Sequence, residues 1–283
     1  MKSSVMEEIS KQRGLRDFKK LVAKWDVLSR NMAAVPSKAP IILPDIILIS
    51  HSGAGRTHFL NLLSDFLEEK GNLISFYGDV KYFEFMLNYC EPDRDFKEIQ
   101  RLMLEISNAG GFRSEYRGIV FIDIDEWNGH FEEKHFISFM EYLSDNSDDW
   151  LIVLSLSGRD PEEVAVAESI ISSFLRTERV RIEEPTASEL VSYVENKIGI
   201  YGLVMKLDAK DVIFDSIKEL CKNKYFDGYK TAKILAQDIA YHAYSSAECT
   251  HELSAADVDA FKRDGEYIQK MMLKIEKSQK IGF

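Results

Sequence analysis

The chain alternates short continuous apolar runs with longer segments whose apolar residues recur every three or four positions. Runs of the first kind read as strands buried on both faces, and segments of the second kind as amphipathic helices packed on them. The predicted strands are Asp45-Ile-Ile-Leu-Ile49, Leu73 to Tyr77, Gly118-Ile-Val-Phe-Ile122, Trp150 to Leu156 and a short edge strand, Val180-Arg-Ile182. Between them, helices are predicted over Thr57 to Lys70, ended by Gly71, through a region reaching Ala109, around Glu132 to Leu143, and over Pro161 to Leu175. Ahead of the first strand, Leu15, Phe18, Leu21, Val22, Trp25 and Leu28 share helical spacing, so one amphipathic helix is expected from about Val5 to Met32. Strands alternating with helices at this pitch specify a parallel sheet in an α/β fold.

Beyond Pro185 the alternation stops and only helical periodicity remains. It begins at Thr186-Ala-Ser-Glu189, which has the form of a capping box. The stretch Ala33 to Pro44, with Pro36, Pro40 and Pro44, reads as a linker into the first strand, and the expected organisation is an N-terminal helix and linker over 1–40, an α/β domain over 41–184, and a small all-α domain over 185–283. At 283 residues the chain has ample length for this.

Composition excludes a few classes. Hydrophobic residues at 45% and charged residues at 29% are the profile of an ordinary globular protein. A net charge of −11 argues against a protein that coats nucleic acid, which needs clustered Lys and Arg. No stretch approaches the roughly 18 apolar residues of a membrane span, so a cytoplasmic protein without a membrane anchor is expected. Cys90, Cys221 and Cys249 are widely spaced and odd in number, which suggests neither a zinc site nor a disulfide framework.

The chemistry concentrates after the first strand, in Ser50-His-Ser-Gly-Ala-Gly-Arg-Thr57. A phosphate-binding loop needs glycine where backbone amides turn toward phosphate, a cation for the terminal phosphates, and a hydroxyl for magnesium. Gly53 and Gly55 supply the turn, Thr57 the hydroxyl, and Ser52, Ala54 and His58 complete the cradle. Two positions depart from the pattern: Ser50 stands in the first glycine place, and Arg56 stands where lysine is expected. Arginine keeps the charge but is larger and forked. Without its context the segment reads equally as a ligand-free turn; a buried strand running in and an amphipathic helix running out favour phosphate.

The other half of such a site is an acid at the end of a neighbouring strand, often followed by a glutamate that polarises the attacking water. Asp123 fills the first role, with Thr57, as a magnesium residue. Ile124 stands in the glutamate place, and acids resume at Asp125 and Glu126. Glu126 serves only if the strand end curls back; otherwise Asp125 and Glu126 form an acidic helix start.

Strand, Gly-Ala-Gly-Arg-Thr, helix, Phe-Ile-Asp, strand and helical lid together resemble an AAA+ ATPase module over roughly Gly14 to Arg263. Leu154-Ser-Leu-Ser-Gly158, Ile171-Ser-Ser-Phe174 and Pro185-Thr-Ala-Ser-Glu-Leu190 are most similar to the CbxX/CfqX branch, which includes the stage V sporulation ATPases. The resemblance implies a three-layer P-loop NTPase sandwich with a five-stranded parallel sheet and a small helical lid, with ATP or ADP and magnesium as cofactors. It puts Ser157 near the first sensor position, Lys230 and Lys233 near the second, and Ser173 where an arginine finger stands, with Arg176 and Arg179 close behind. Phe83 and Phe85 read either as core residues or as pore-lining aromatics of a ring.

Two functions lead, with a third behind them. One is a slow or non-hydrolysing scaffold or regulatory subunit that binds nucleotide weakly. The other is an active ATPase that forms an oligomeric ring and remodels a protein partner; a DNA-associated switch is a third, disfavoured by the charge. Replacement of the lysine, the glutamate and the finger together favours the first. The expected partners are proteins, other AAA+ subunits or further copies of the chain.

Overall fold

The computed structural model describes residues 4–12, 14–35, 41–51, 53–74, 81–91, 96–109, 118–146, 150–158, 160–222, 226–246 and 251–259. They divide into two compact units: residues 1–51 with 56–183, and residues 52–55 with 184–283. No helix among the described residues is long and apolar enough to cross a membrane.

The first unit is built on a five-stranded parallel sheet. Its strands are β1 (Asp45–Ile49), β2 (Tyr82–Met86), β3 (Gly118–Asp123), β4 (Trp150–Leu156) and β5 (Thr177–Arg181), in the order β2-β3-β4-β1-β5. β1 and β4 are buried at every position, which explains why they are apolar apart from Asp45 and Ser155. On one face Ile47, Ile49, Val120, Ile122, Ile152 and Leu154 pack against α4 (Lys97–Ala109), α5 (Lys134–Asp145) and α6 (Pro161–Phe174). On the other, α2 (Arg16–Ala34) and α3 (Arg56–Lys70) meet through Phe18 and Phe59, whose rings stand edge to face at 4.8 Å. Each fully buried Phe or Leu contributes roughly 1.5–3 kcal/mol of burial free energy. The result is the helix–sheet–helix P-loop architecture of AAA+ modules, followed by a helical segment.

Three expectations need correction. The single N-terminal helix is two, α1 (Val5–Lys11) and α2, because Gly14 adopts φ 70° and its carbonyl accepts from Glu183 N at 3.1 Å. The apolar pair Leu73 and Ile74 is buried but forms no strand, and residues 75–77 lie outside the described part. The strand beside β3 is instead Tyr82–Met86, where alternation sets Phe83 and Phe85 toward the core and leaves Glu84 and Met86 exposed, as suits a sheet edge. Phe83 and Phe85 are thus packing residues. β5 also begins earlier than the expected Val180, at Thr177.

The second unit holds α7 (Ala187–Ile200), α8 (Leu207–Leu220), α9 (Gly228–Ser245) and α10 (Ala255–Val258) around a core that includes Leu190, Val194, Ile213, Ile217, Leu235 and Ile239. A two-residue parallel ladder joins β6 (Val204–Met205) to β7 (Glu252–Leu253). The capping box forms: Thr186 Oγ1 accepts from Glu189 N at 3.3 Å, and Glu189 Oε2 accepts from Thr186 N at 2.8 Å. Cys249 lies outside the described residues.

Candidate functional site

Sheets of this kind present their chemistry at the carboxyl ends of the strands around the first one. β1 is followed directly by Ser50, which is buried and whose N–H donates to Leu156 O at 3.0 Å, so the loop leaves the sheet from a fixed point. Ser52 lies outside the described residues. Gly53 at φ 72° and Gly55 at φ 103° occupy the left-handed region, where a side chain is strained. Ala54, between them, is buried.

The loop tip belongs to the second unit. Gly53 O accepts from Tyr229 N at 2.9 Å. A Cβ on Gly53 would lie 2.1 Å from Asp227 O, and one on Gly228, itself at φ 45°, 2.5 Å from Gly53 O. Two glycines are therefore required by one backbone contact. Asp227, at the start of α9, is 2% exposed, and neither carboxylate oxygen has a hydrogen-bond partner among the described residues; Lys230 Nζ stands 3.4 Å from Oδ2. Its N–H donates to Thr231 Oγ1 at 2.9 Å. Sequence reasoning passed over this residue, although Asp-Gly is a strong turn signal.

A charged cluster lies in the first unit. Arg56 opens α3, but its guanidinium folds back under the strand ends. Nε donates to Ser50 Oγ at 2.8 Å, Nη2 to Ser50 O at 2.9 Å and to Asp125 Oδ2 at 3.1 Å, and Nη1 to Asp123 Oδ2. Four of the five N–H bonds of the fork are thereby committed. Asp123 Oδ1 accepts from Asp125 N at 3.0 Å, and Asp125 Oδ1 accepts from Ser157 N. The network ties together the ends of β1, β3 and β4. Burial is the largest influence on Asp123 and pushes its pKa up; Arg56 opposes the shift and Asp125 adds to it.

Asp125 reaches this position because a single 3-10 turn, Asp125–Trp127, follows Ile124. The same turn carries Glu126 away, where its Oε2 accepts from Tyr89 N at 3.0 Å. Ser157 enters the network through its backbone, and Thr57 and His58 are exposed on the first turn of α3. Lys230 and Lys233 are exposed residues of α9 in the second unit. Arg179 is paired with Glu168 at 3.0 Å, Arg176 donates to Ile42 O, and Ser173 Oγ bonds Ile170 O at 2.6 Å.

The glycine turn suits an anion held by backbone amides. The acids do not suit magnesium as they stand. Both Asp123 oxygens have donors, and a guanidinium sits against the carboxylates a metal would need. Like charges about 4 Å apart repel by roughly 4 kcal/mol per unit pair at an effective dielectric near 20.

No protein-family model and no curated protein matches the chain. Solved structures do. PCH-2 of C. elegans is similar at TM-score 0.50 and 12% identity, over 92% of this chain and 68% of that one. A proline-to-glycine mutant of Thermotoga maritima RuvB is similar at TM-score 0.53 and 11% identity, over 99% of this chain and 74% of that one. Domain III of the T. maritima replication initiation protein DnaA gives TM-score 0.46 and 13% identity over 84% and 89%, and carries no further weight. At these identities the likeness shows the fold, that of AAA+ P-loop modules.

Proposed function

We propose that this AAA+ fold serves as a nucleotide-binding scaffold or regulatory subunit that holds ATP or ADP weakly through its loop backbone and hydrolyses it slowly or not at all. The single observation that carries this reading is the fourfold engagement of Arg56 with Ser50, Asp123 and Asp125. Phosphoryl transfer requires a cation on the terminal phosphates and a free carboxylate to orient water. Here the cation is spent on the carboxylates, and the carboxylates are spent on the cation.

The partners proposed are proteins, among them other AAA+ subunits or further copies of this chain, in the cytoplasm. Within the superfamily, the strand end at Leu154 to Gly158 and the lid entry at Pro185 favour the CbxX/CfqX branch. The Asp123–Asp125 pair is the one feature that speaks for an active remodelling ATPase, because it brings a second carboxylate beside the first. Equilibrium titration of the purified chain with ATP, alongside phosphate release, separates the readings. Weak saturable binding without turnover supports the scaffold; no binding removes nucleotide from the account.

A further inference from the structure

We infer that the Arg56 guanidinium is a built-in substitute for the divalent metal of this site, so that Asp123 and Asp125 take up no magnesium and nucleotide binds without it. Metal-free nucleotide binding rests on the function proposed above; exclusion of the metal rests on the first unit alone.

Three features support it. The first is occupancy: Arg56 bonds one oxygen of each carboxylate, and backbone amides of Asp125 and Ser157 take the other two. Magnesium demands near-ideal octahedral oxygen geometry at about 2.0–2.1 Å and gives up its water reluctantly, so it competes poorly for oxygens already donated to. The second is rigidity. A lysine ammonium on its flexible stem is one point charge that swings out when a metal arrives; the guanidinium is a planar fork holding Ser50, Asp123 and Asp125 together, and releasing it breaks four bonds at once. The third is the remaining ligand supply. Thr57, the expected hydroxyl ligand, is exposed and has no part in the network, and no group of three or more His, Cys, Asp or Glu placed to hold a metal exists among the described residues.

The test uses the full chain and manganese as the probe, read by the electron paramagnetic resonance signal of free Mn2+. That signal is expected to be indistinguishable between wild type and Asp123→Asn. Arg56→Ala is expected to bind Mn2+ at least tenfold more tightly than wild type, and adding Asp123→Asn is expected to abolish that gain. A Mn2+ site in wild type that Asp123→Asn removes overturns the inference, and this comparison decides even if Arg56→Ala fails to fold. In a second arm, ATP affinity is measured with magnesium and with EDTA. Values within twofold support the inference; tightening of tenfold or more by magnesium overturns it while leaving nucleotide binding intact. Absence of ATP binding in both conditions defeats the proposed function, and the manganese comparison still decides whether metal is excluded.

Discussion

Gly53 and Arg56 lie on one loop, but different forces hold them. Gly53 is fixed by backbone alone: a left-handed turn, a carbonyl accepting from Tyr229 N, and a spacing to Asp227 O that admits no Cβ. Arg56 is fixed by side-chain charge, between two carboxylates and the end of β1. The tip is shaped by glycine conformation, while the residue behind it commits its charge to neighbouring side chains. Shape and charge are thus set separately along one short stretch of chain, and a fold by itself does not fix the chemistry it carries.

Substitutions should separate the two. Gly53→Ala meets both a forbidden backbone angle and a carbonyl, and is expected to destabilise the second unit by about 3 kcal/mol or more in urea unfolding. Arg56→Ala leaves two carboxylates facing each other without a cation and is expected to cost about 2 kcal/mol, below the range for fully buried pairs because the cluster is partly solvated. Arg56→Lys retains one charge but cannot span three partners, with an expected loss of about 1 kcal/mol. If Arg56→Lys equals Arg56→Ala, the fork geometry matters more than the charge.

The smallest effect is in pH. The Asp123 pKa is raised in the folded state, so the native protein binds this proton more readily than the unfolded chain. Its contribution to stability therefore rises as pH falls from the raised value toward the ordinary 3.8. Asp26, lowered chiefly by its hydrogen bond from Lys70, and Asp257, lowered by the backbone of Ser254, act oppositely: their stabilisation is lost as pH falls below 3.8. Asp123→Asn is expected to change stability by under about 1 kcal/mol at neutral pH and to remove the gain on acidification, as measured by urea unfolding at about pH 7 and pH 4. An unchanged acid limb would show that Asp123 is not the group responsible.

Much of the sheet was legible because β1, β3 and β4 are buried on both faces and can hold little but Ile, Leu, Val and Phe. β2 was not, since an edge strand carries Tyr, Glu and Met on its open positions, while the apolar Leu73-Ile74 pair is buried without pairing. The glycines of the loop could be read from sequence, as their reason is local. The direction of the Arg56 fork could not, because it depends on how a 3-10 turn after Ile124 returns Asp125 and diverts Glu126. Asp227 stayed hidden for the same reason: its contact with Gly53 spans most of the chain.

We propose that the charge network around Arg56 silences phosphoryl transfer. Phosphate release from ATP with magnesium by the purified full chain tests it most directly, with Asp123→Ala as the control. The account predicts release no faster for wild type than for Asp123→Ala; steady turnover that collapses in Asp123→Ala would contradict it.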